Sequence, residues 1–308
     1  DDAFGGYEFD YVISNPPFGI DWKREKSQVE AEAKRGYDGR FGPGLPAISD
    51  GQMLFMLNGV KKLKEGSGRM AIIQNGSSLF TGDAGSGASE IRRYLIHEDL
   101  VEAIVQLPTD LFYNTGTSTY IWVLTKGKPM SRSGRVQLID ASKCFVKRRK
   151  NIGSKRVDLD DACIDLILKA YEGFDQNEVY TADDLVVESK VFENDFFGFT
   201  KVTVETAQTD ANGKPLLKKG KKLPVKGATD SEIIPLSDDI DAYMAKNVLP
   251  YNPLAYIDPA KDKIGYEIPF TRLFYKFEAP EPSASIFEDI KALEAKETVL
   301  MKELFGNA

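Results

Sequence analysis

The chain has 308 residues, of which 42% are hydrophobic and 28% charged, and its net charge is −7. That is enough for a sizeable core and roughly two domains of an ordinary globular protein, and the acidic balance excludes attachment to nucleic acid by bulk charge. No run approaches the ~18 apolar residues of a membrane helix, no signal-peptide pattern is present, and one histidine (His97) with two cysteines (Cys144 and Cys163) at no metal or disulfide spacing leaves little for a zinc site or a Ser-His triad.

The first predicted element is an apolar run, Phe9 to Ser14, bounded by a turn signal, which reads as a buried strand. Asn15-Pro16-Pro17-Phe18 stops it. Each proline fixes φ near −65° and removes a donor, and the residue before each is pushed to an extended conformation. The expected result is a stiff tip rich in acceptors. Asn15 adds an amide oxygen and an amide NH2, and Phe18 adds a flat apolar face. Open α/β sheets bind ligands at such strand ends. A turn in which Asn15 serves its own hydrogen bonds is the alternative reading of these four residues.

Residues 19–49 show no periodicity and then become rich in Gly and Pro, which predicts a long loop, either a lid beside the tip or a passive surface segment. Lys23, Arg24, Lys26, Lys34, Arg35 and Arg40 there suit phosphate contacts or plain solvation. Asp50 reads as an N-cap. Met53, Met56, Leu57, Val60 and Leu63 give a helical stripe that ends towards Gly66, and Arg69 to Gln74 gives the next strand. Strand, helix and strand make the crossover unit of a parallel sheet. Gly82, Gly85 and Gly87 lie beyond the strand turn in the wrong order for a dinucleotide fingerprint.

Ile91, Leu95, Ile96 and Leu100 predict a helix with His97 near its end, followed by strands over Val101–Pro108 and Ser118–Thr125 paired antiparallel through a short polar link. Arg135 to Ile139 is a further strand. Lys147, Arg148, Arg149, Lys150, Lys155 and Arg156 form the densest basic cluster of the first half, suited to DNA phosphate or to a solvated connector. A composition change near residue 150 places a domain edge there, dividing the chain into 1–150 and 151–308. Beyond it come a helix through Ile164–Tyr171, a strand over Phe197–Val204, an exposed lysine-rich hairpin or loop over Asp210–Thr229 and a short helix over Ser237–Val248. A C-terminal helix begins at a capping box, Ser285 and Glu288, and carries Ile286, Ile290, Leu293, Leu300 and Leu304. That stripe suits packing on its own domain or on a partner helix.

Four stretches carry a family resemblance. The run DYVISNPPFGIDWK (Asp10 to Lys23) resembles the catalytic motif of amino-group methyltransferases that use S-adenosyl-L-methionine. It looks specifically like the modification (M) subunit of type I restriction-modification systems, which methylates adenine N6 in DNA. SLFTGDAGSG (Ser78 to Gly87) followed by Glu90-Ile91-Arg92-Arg93 is similar to the same subunits. So are LPTDLFYNTGTSTYIWVLTKGK (Leu107 to Lys128) and KIGYEIPFTR (Lys263 to Arg272).

The resemblance implies an α/β fold: the C-terminal half of a Rossmann-like methyltransferase sheet, parallel strands ending in an antiparallel pair, then a mixed α+β tail with a C-terminal helix that docks on another subunit. It implies catalytic roles for Asn15, Pro16 and Phe18, and target-base contacts from Pro17, Phe112 and Tyr113, where core packing is the alternative for the last two. S-adenosyl-L-methionine is the implied cofactor, with its glycine-rich turn and ribose-binding acid expected upstream of Asp1, so that this polypeptide alone is expected to bind the cofactor weakly and to be inactive alone. DNA, a specificity (S) subunit with two M per S, and a restriction (R) subunit are the implied partners, in the cytoplasm. A methyltransferase on another amine (RNA guanine or protein glutamine) and a non-catalytic docking module are the alternatives.

Overall fold

The tip is carried by a mixed sheet of seven strands. The computed structural model describes residues 4–277 and 279–306. The apolar run forms β1 (Tyr11–Ser14), followed by α1 (Lys26–Ala33), α2 (Gln52–Lys61), β2 (Arg69–Asn75), α3 (Ser77–Phe80) and α4 (Gly87–His97). Next come β3 (Val101–Gln106), β4 (Thr119–Thr125), β5 (Arg135–Asp140), the hairpin β6 (Val146–Ile152) and β7 (Lys155–Asp158), α5 (Asp161–Gly173), β8 (Asn177–Ala182) and β9 (Leu185–Glu193). The strand order is β1-β2-β4-β3-β5-β9-β8. β1 pairs parallel with β2, β4 runs antiparallel between β2 and β3, and β3 pairs parallel with β5. The C-terminal ends of β1, β2, β3 and β5 therefore lie along one edge of the sheet.

The periodicity of α2 meets its expectation: Met53, Met56, Leu57 and Val60 are buried. On the other side of the sheet, α5 seats Cys163, Leu166 and Ala170 among Val105, Ile139 and Val187. Tyr171 on α5 donates to Glu102 on β3, which also pairs with Arg69 on β2. The expected domain edge at residue 150 falls inside this arrangement, because α5, β8 and β9 join the same sheet. The compact units by contact are instead residues 1–270 and 271–308.

Two local expectations change. β1 is not buried on both faces: Tyr11 is 74% and Ile13 89% exposed. Side chains alternate along a strand, and α5, on the side where these two lie, packs over β5, β8 and β9 at the other end of the strand order. Residues 19–49 are not structureless either, since α1 and a 3-10 turn (Gly36–Asp38) form within them. Their signal is not apolar, for α1 buries only Val29. Arg40 holds the segment instead, donating Nε to Glu32 Oε1 at 2.6 Å and Nη1 to Asn58 Oδ1 on α2 at 3.1 Å. The Arg40 hydrogen bond keeps the Glu32 carboxyl below its usual range.

A second, smaller sheet is built around β10 (Gly198–Ala207). Of the two readings of the lysine-rich stretch, hairpin or loop, the hairpin forms. It consists of β11 (Leu217–Lys218) and β12 (Lys221–Lys222), followed by the long β13 (Pro224–Pro235). Lys219 and Gly220 both have positive φ, the backbone of a two-residue turn matched to strand twist. α6 (Ile240–Asn247) packs Met244 on Val202, Val204 and Ile234. β10 also pairs with β14 (Ala255–Ile257) and β15 (Lys263–Tyr266). The short α7 (Phe270–Phe274) and the long α8 (Ser283–Phe305) end the described chain. The predicted capping box does not form on α8. Pro282 is its N-cap, and the Ser285 hydroxyl donates to Glu281. α8 keeps Ile286, Phe287, Ile290, Leu293, Leu300 and Leu304 exposed. No described helix is long and apolar enough to cross a membrane.

Asp99 closes α4 ahead of β3 in the left-handed region, at φ 54°. Burial raises its pKa, but hydrogen bonds from Lys128 Nζ, the Gly134 N–H and Asn194 Nδ2 outweigh that and hold the carboxyl below its ordinary value. A depressed carboxyl contributes stability above its unfolded pKa and loses it as pH falls through the folded pKa. Asp99→Asn keeps a side chain that tolerates this backbone. It is expected to lower stability at pH 7 and to shrink the further loss as pH falls below the ordinary carboxylate range of about 4, read as urea midpoints across pH. An acid limb as steep as that of the wild type would refute the assignment.

Candidate functional site

At the C-terminal end of β1, Asn15 is exposed, Pro16 is buried, Pro17 is exposed and Phe18 is half-buried. The buried ring of Pro16 anchors a tip whose φ angles the two prolines fix. No described residue hydrogen-bonds to the Asn15 side chain. The chain leaves the tip through Gly19 at φ 65°, a conformation glycine adopts without strain. It is then stitched to the segment before α2: the Gly51 N–H donates to Ile20 O at 2.9 Å, Trp22 N–H to Ile48 O at 3.1 Å, and Trp22 Nε1 to Ala47 O at 3.0 Å. A pocket of 630 Å³ opens beside Pro17, lined among others by Trp22, Phe41, Leu54, Phe55 and Asn58. Trp22, Phe41 and Phe55 give it aromatic walls, and the charged side chains of Asp21, Arg24, Glu25 and Arg40 share its lining.

The neighbouring strand end carries a polar cluster that the sequence reading passed over. Gln52 Nε2 donates to Asp50 Oδ2 and Asn75 Oδ1, each at 2.8 Å, and the Ser77 hydroxyl beside it donates to Asp50 Oδ2 at 2.8 Å. The Asn75 N–H donates back to Gln52 Oε1 at 3.1 Å, and Ser77 N–H to Asn75 Oδ1 at 2.9 Å. β1 and β2 pair Ser14 with Ile72, so this cluster lies level with the tip one strand away. It fixes the N-terminus of α2, and through Gly51 the segment stitched to Ile20. The available signal was a buried glutamine opening an apolar helix, together with Asn75-Gly76-Ser77 at a strand end, the composition of an Asx turn.

The loop of residues 107–118 rises from the same edge at the end of β3. Three strand spacings, roughly 14 Å, separate β3 from β1. The structure separates the two aromatics expected here. Phe112 is half-buried and packs against the core cluster of Val105, Leu107 and Ile139. Tyr113 is 61% exposed, with Lys155 Nζ 5.5 Å from its ring centre. The hairpin of β6 and β7 is hydrogen-bonded onto this loop: Ser154 N–H donates to Tyr113 O at 2.9 Å, and Arg156 N–H to Asp110 O at 2.8 Å. His97 ends α4 on the surface. Cys144 and Cys163 are buried thiols, and burial pushes Cys144 up to about 12.

Comparisons with known proteins agree on one family. The family model described as N-6 DNA Methylase matches residues 1–212. The MjaIX type I restriction enzyme methylase subunit of Methanocaldococcus jannaschii is 30% identical over 154 residues, 49% of this chain and 27% of its own length. The HindI type I methylase subunit of Haemophilus influenzae is 26% identical over 245 residues, 78% of this chain and 51% of its own. The chain thus spans between about a quarter and a half of the length of these relatives. Among solved structures, the type I restriction-modification methyltransferase subunit of Streptococcus thermophilus superposes with a TM-score of 0.51 at 26% identity. That match covers 64% of this chain and 37% of the other.

Proposed function

Because this chain belongs to the N-6 DNA methylase family, we propose that its Asn-Pro-Pro-Phe tip receives an adenine turned out of duplex DNA and holds it for methylation at N6. The observation that carries this reading is the tip itself. It is stiffened by two prolines, lies at the C-terminal strand edge where open α/β sheets take ligands, and its Asn15 side chain is engaged by no described residue.

The adenine amine is a poor nucleophile because its lone pair is delocalised into the ring. The Asn15 side-chain oxygen and the Pro16 carbonyl accept its two N–H groups and turn the lone pair out of conjugation. Phe18 and Pro17 border one face of the base. On the second face Tyr113 takes the aromatic role, since the Phe112 ring is spent on the core. A base inside the duplex is out of reach of in-line attack, so it must be extruded. The family implies S-adenosyl-L-methionine as the donor, and an acceptor-rich neutral tip fits a neighbouring sulfonium cation. When bound, that donor supplies an electrophilic methyl group. The residues of this chain then contribute position and fixed dipoles. Asn15 acts as an acceptor rather than a strong base, and the proton leaves N6 after transfer.

Type I partners follow from the same reading: a specificity subunit that reads sequence, docked by the exposed apolar side chains of α8, and a restriction subunit. The test is to express the natural full-length subunit with its specificity partner and to assay nucleic acid and protein for methylated products. N6-methyladenine in DNA supports the reading. Methylguanine in RNA or methylglutamine in protein, with unmodified DNA adenine, overturns it.

A further inference from the structure

We propose that the hairpin of β6 and β7 is a phosphate-gripping arm that holds the DNA backbone beside the extruded base. The inference rests on the DNA reading above and extends it to residues which that reading leaves unused. Within Val146–Asp158 the hairpin carries Lys147, Arg148, Arg149, Lys150, Lys155 and Arg156 against one acid, Asp158. Asp158 neutralises only two of them, pairing with Arg148 and with Lys155, the latter at 2.9 Å. Lys147, Arg149, Lys150 and Arg156 are exposed and have no acidic partner among the described residues. In a chain of net charge −7, four unpaired cations on one two-stranded ribbon are a local inversion of sign. A cation with no internal partner is free to displace counterions from a phosphate backbone.

Placement selects the ligand. The arm is rooted at the ligand-binding edge of the sheet, because β5 ends there at Asp140 and β6 follows within a few residues. It is also fastened to the loop that presents Tyr113. Ser154 and Arg156 donate backbone N–H groups to Tyr113 O and Asp110 O. Gly153, at φ 57°, sits so close that a Cβ there would lie 2.5 Å from Tyr113 O. The turn of the ribbon therefore approaches the aromatic loop in a way only glycine permits. Charge and stacking aromatic are one mechanical unit, so the backbone gripped is the one that flanks the base Tyr113 would cover. Contacts of this kind position the duplex and carry no sequence preference.

Two variants test the arm in the full-length protein on a fluorescent 30-base-pair duplex. Lys147→Gln/Arg149→Gln/Lys150→Gln removes three cations and leaves Asp158 paired. It is expected to lower affinity at 0.1 M salt by roughly 10- to 100-fold on every duplex sequence, and to flatten the dependence of log K on log salt by about 2 to 3. Gly153→Ala keeps every charge but disturbs the seat on Tyr113. It is expected to leave the salt slope within about one unit of the wild type while slowing single-turnover methylation more than tenfold. An unchanged affinity and slope in the triple variant overturns the arm. So does a wild-type protein without salt-dependent duplex binding, and so does a loss confined to single-stranded RNA. If the arm fails while adenine methylation persists, the proposed function stands without it.

Discussion

Alanine at position 15 is expected to slow methyl transfer to adenine by roughly 10²- to 10³-fold, the usual cost of losing one preorganised polar group that acts in the transition state. The same change is expected to leave the fold intact. Asn15 is exposed and its side chain bonds to no described residue, so its removal sits within the roughly 0.5 kcal/mol typical of surface substitutions. That contrast separates chemistry from folding. Single-turnover rates and thermal midpoints of Asn15→Ala, measured side by side in the full-length enzyme with its partner subunit, should show a large fall in the first and almost none in the second. Asn15→Asp keeps the acceptor oxygens and is expected to retain more activity than the alanine variant. A rate for Asn15→Ala equal to that of the wild type would mean that the tip is only a strand stop.

The second large effect is on stability. Arg92 lies on α4, 1% exposed. It ties α4 to the second sheet and to α3: Nε donates to Tyr266 O on β15 at 2.6 Å, and Nη1 to Ser78 O on α3 at 3.2 Å. Burial makes the charged form costly and brings the guanidinium pKa down to about 10. Two effects therefore compete when the side chain is removed. Relief of a buried charge stabilises the variant, whereas two buried carbonyls lose their donors at roughly 1–3 kcal/mol each, and a large void opens. The void decides the balance for alanine. Arg92→Ala is expected to lose about 3 kcal/mol, and Arg92→Met, which refills the space, clearly less. Urea midpoints of the two variants measure this. An alanine variant as stable as the methionine variant would mean that the site collapses around the gap.

Arg92 also shows where sequence reading stops. It stands in Glu-Ile-Arg-Arg on the helix, and nothing in that string distinguishes it from its exposed neighbour Arg93. Only the approach of β15, some 170 positions later, buries it. By contrast β1, α2 and β2 were legible because each owes its form to local pattern: an apolar run ended by two prolines, an apolar stripe at helical spacing, a second run. The antiparallel pair of β3 and β4 was legible through the short polar link between them. α1 was not, because it is held by the fork between Arg40 and Glu32 rather than by an apolar face. β13 was hidden as well: its polar side chains give no alternation, and it is a strand because β10 pairs with it.

At the proposed site, the tip of Asn15 to Phe18 is put forward from residue types alone. The cluster of Asp50, Gln52, Asn75 and Ser77 was not, because its members meet only when two strands pair in register. The different burial of Phe112 and Tyr113 was likewise not legible, because it comes from the core cluster that α5 completes, which takes up one ring and leaves the other to solvent.

One feature of β1 bears on how the sheet can be extended. Its outer backbone groups pair with no described strand, and beside them Tyr11 and Ile13 expose a flat apolar surface. An open, apolar strand margin is a template for intermolecular pairing, and proteins normally blunt it with charge, proline or a covering element. Here the first proline comes only after the strand has ended. Any strand that adds to the sheet at β1 would withdraw those backbone groups from water, so the margin is the place where a further strand pairs in register.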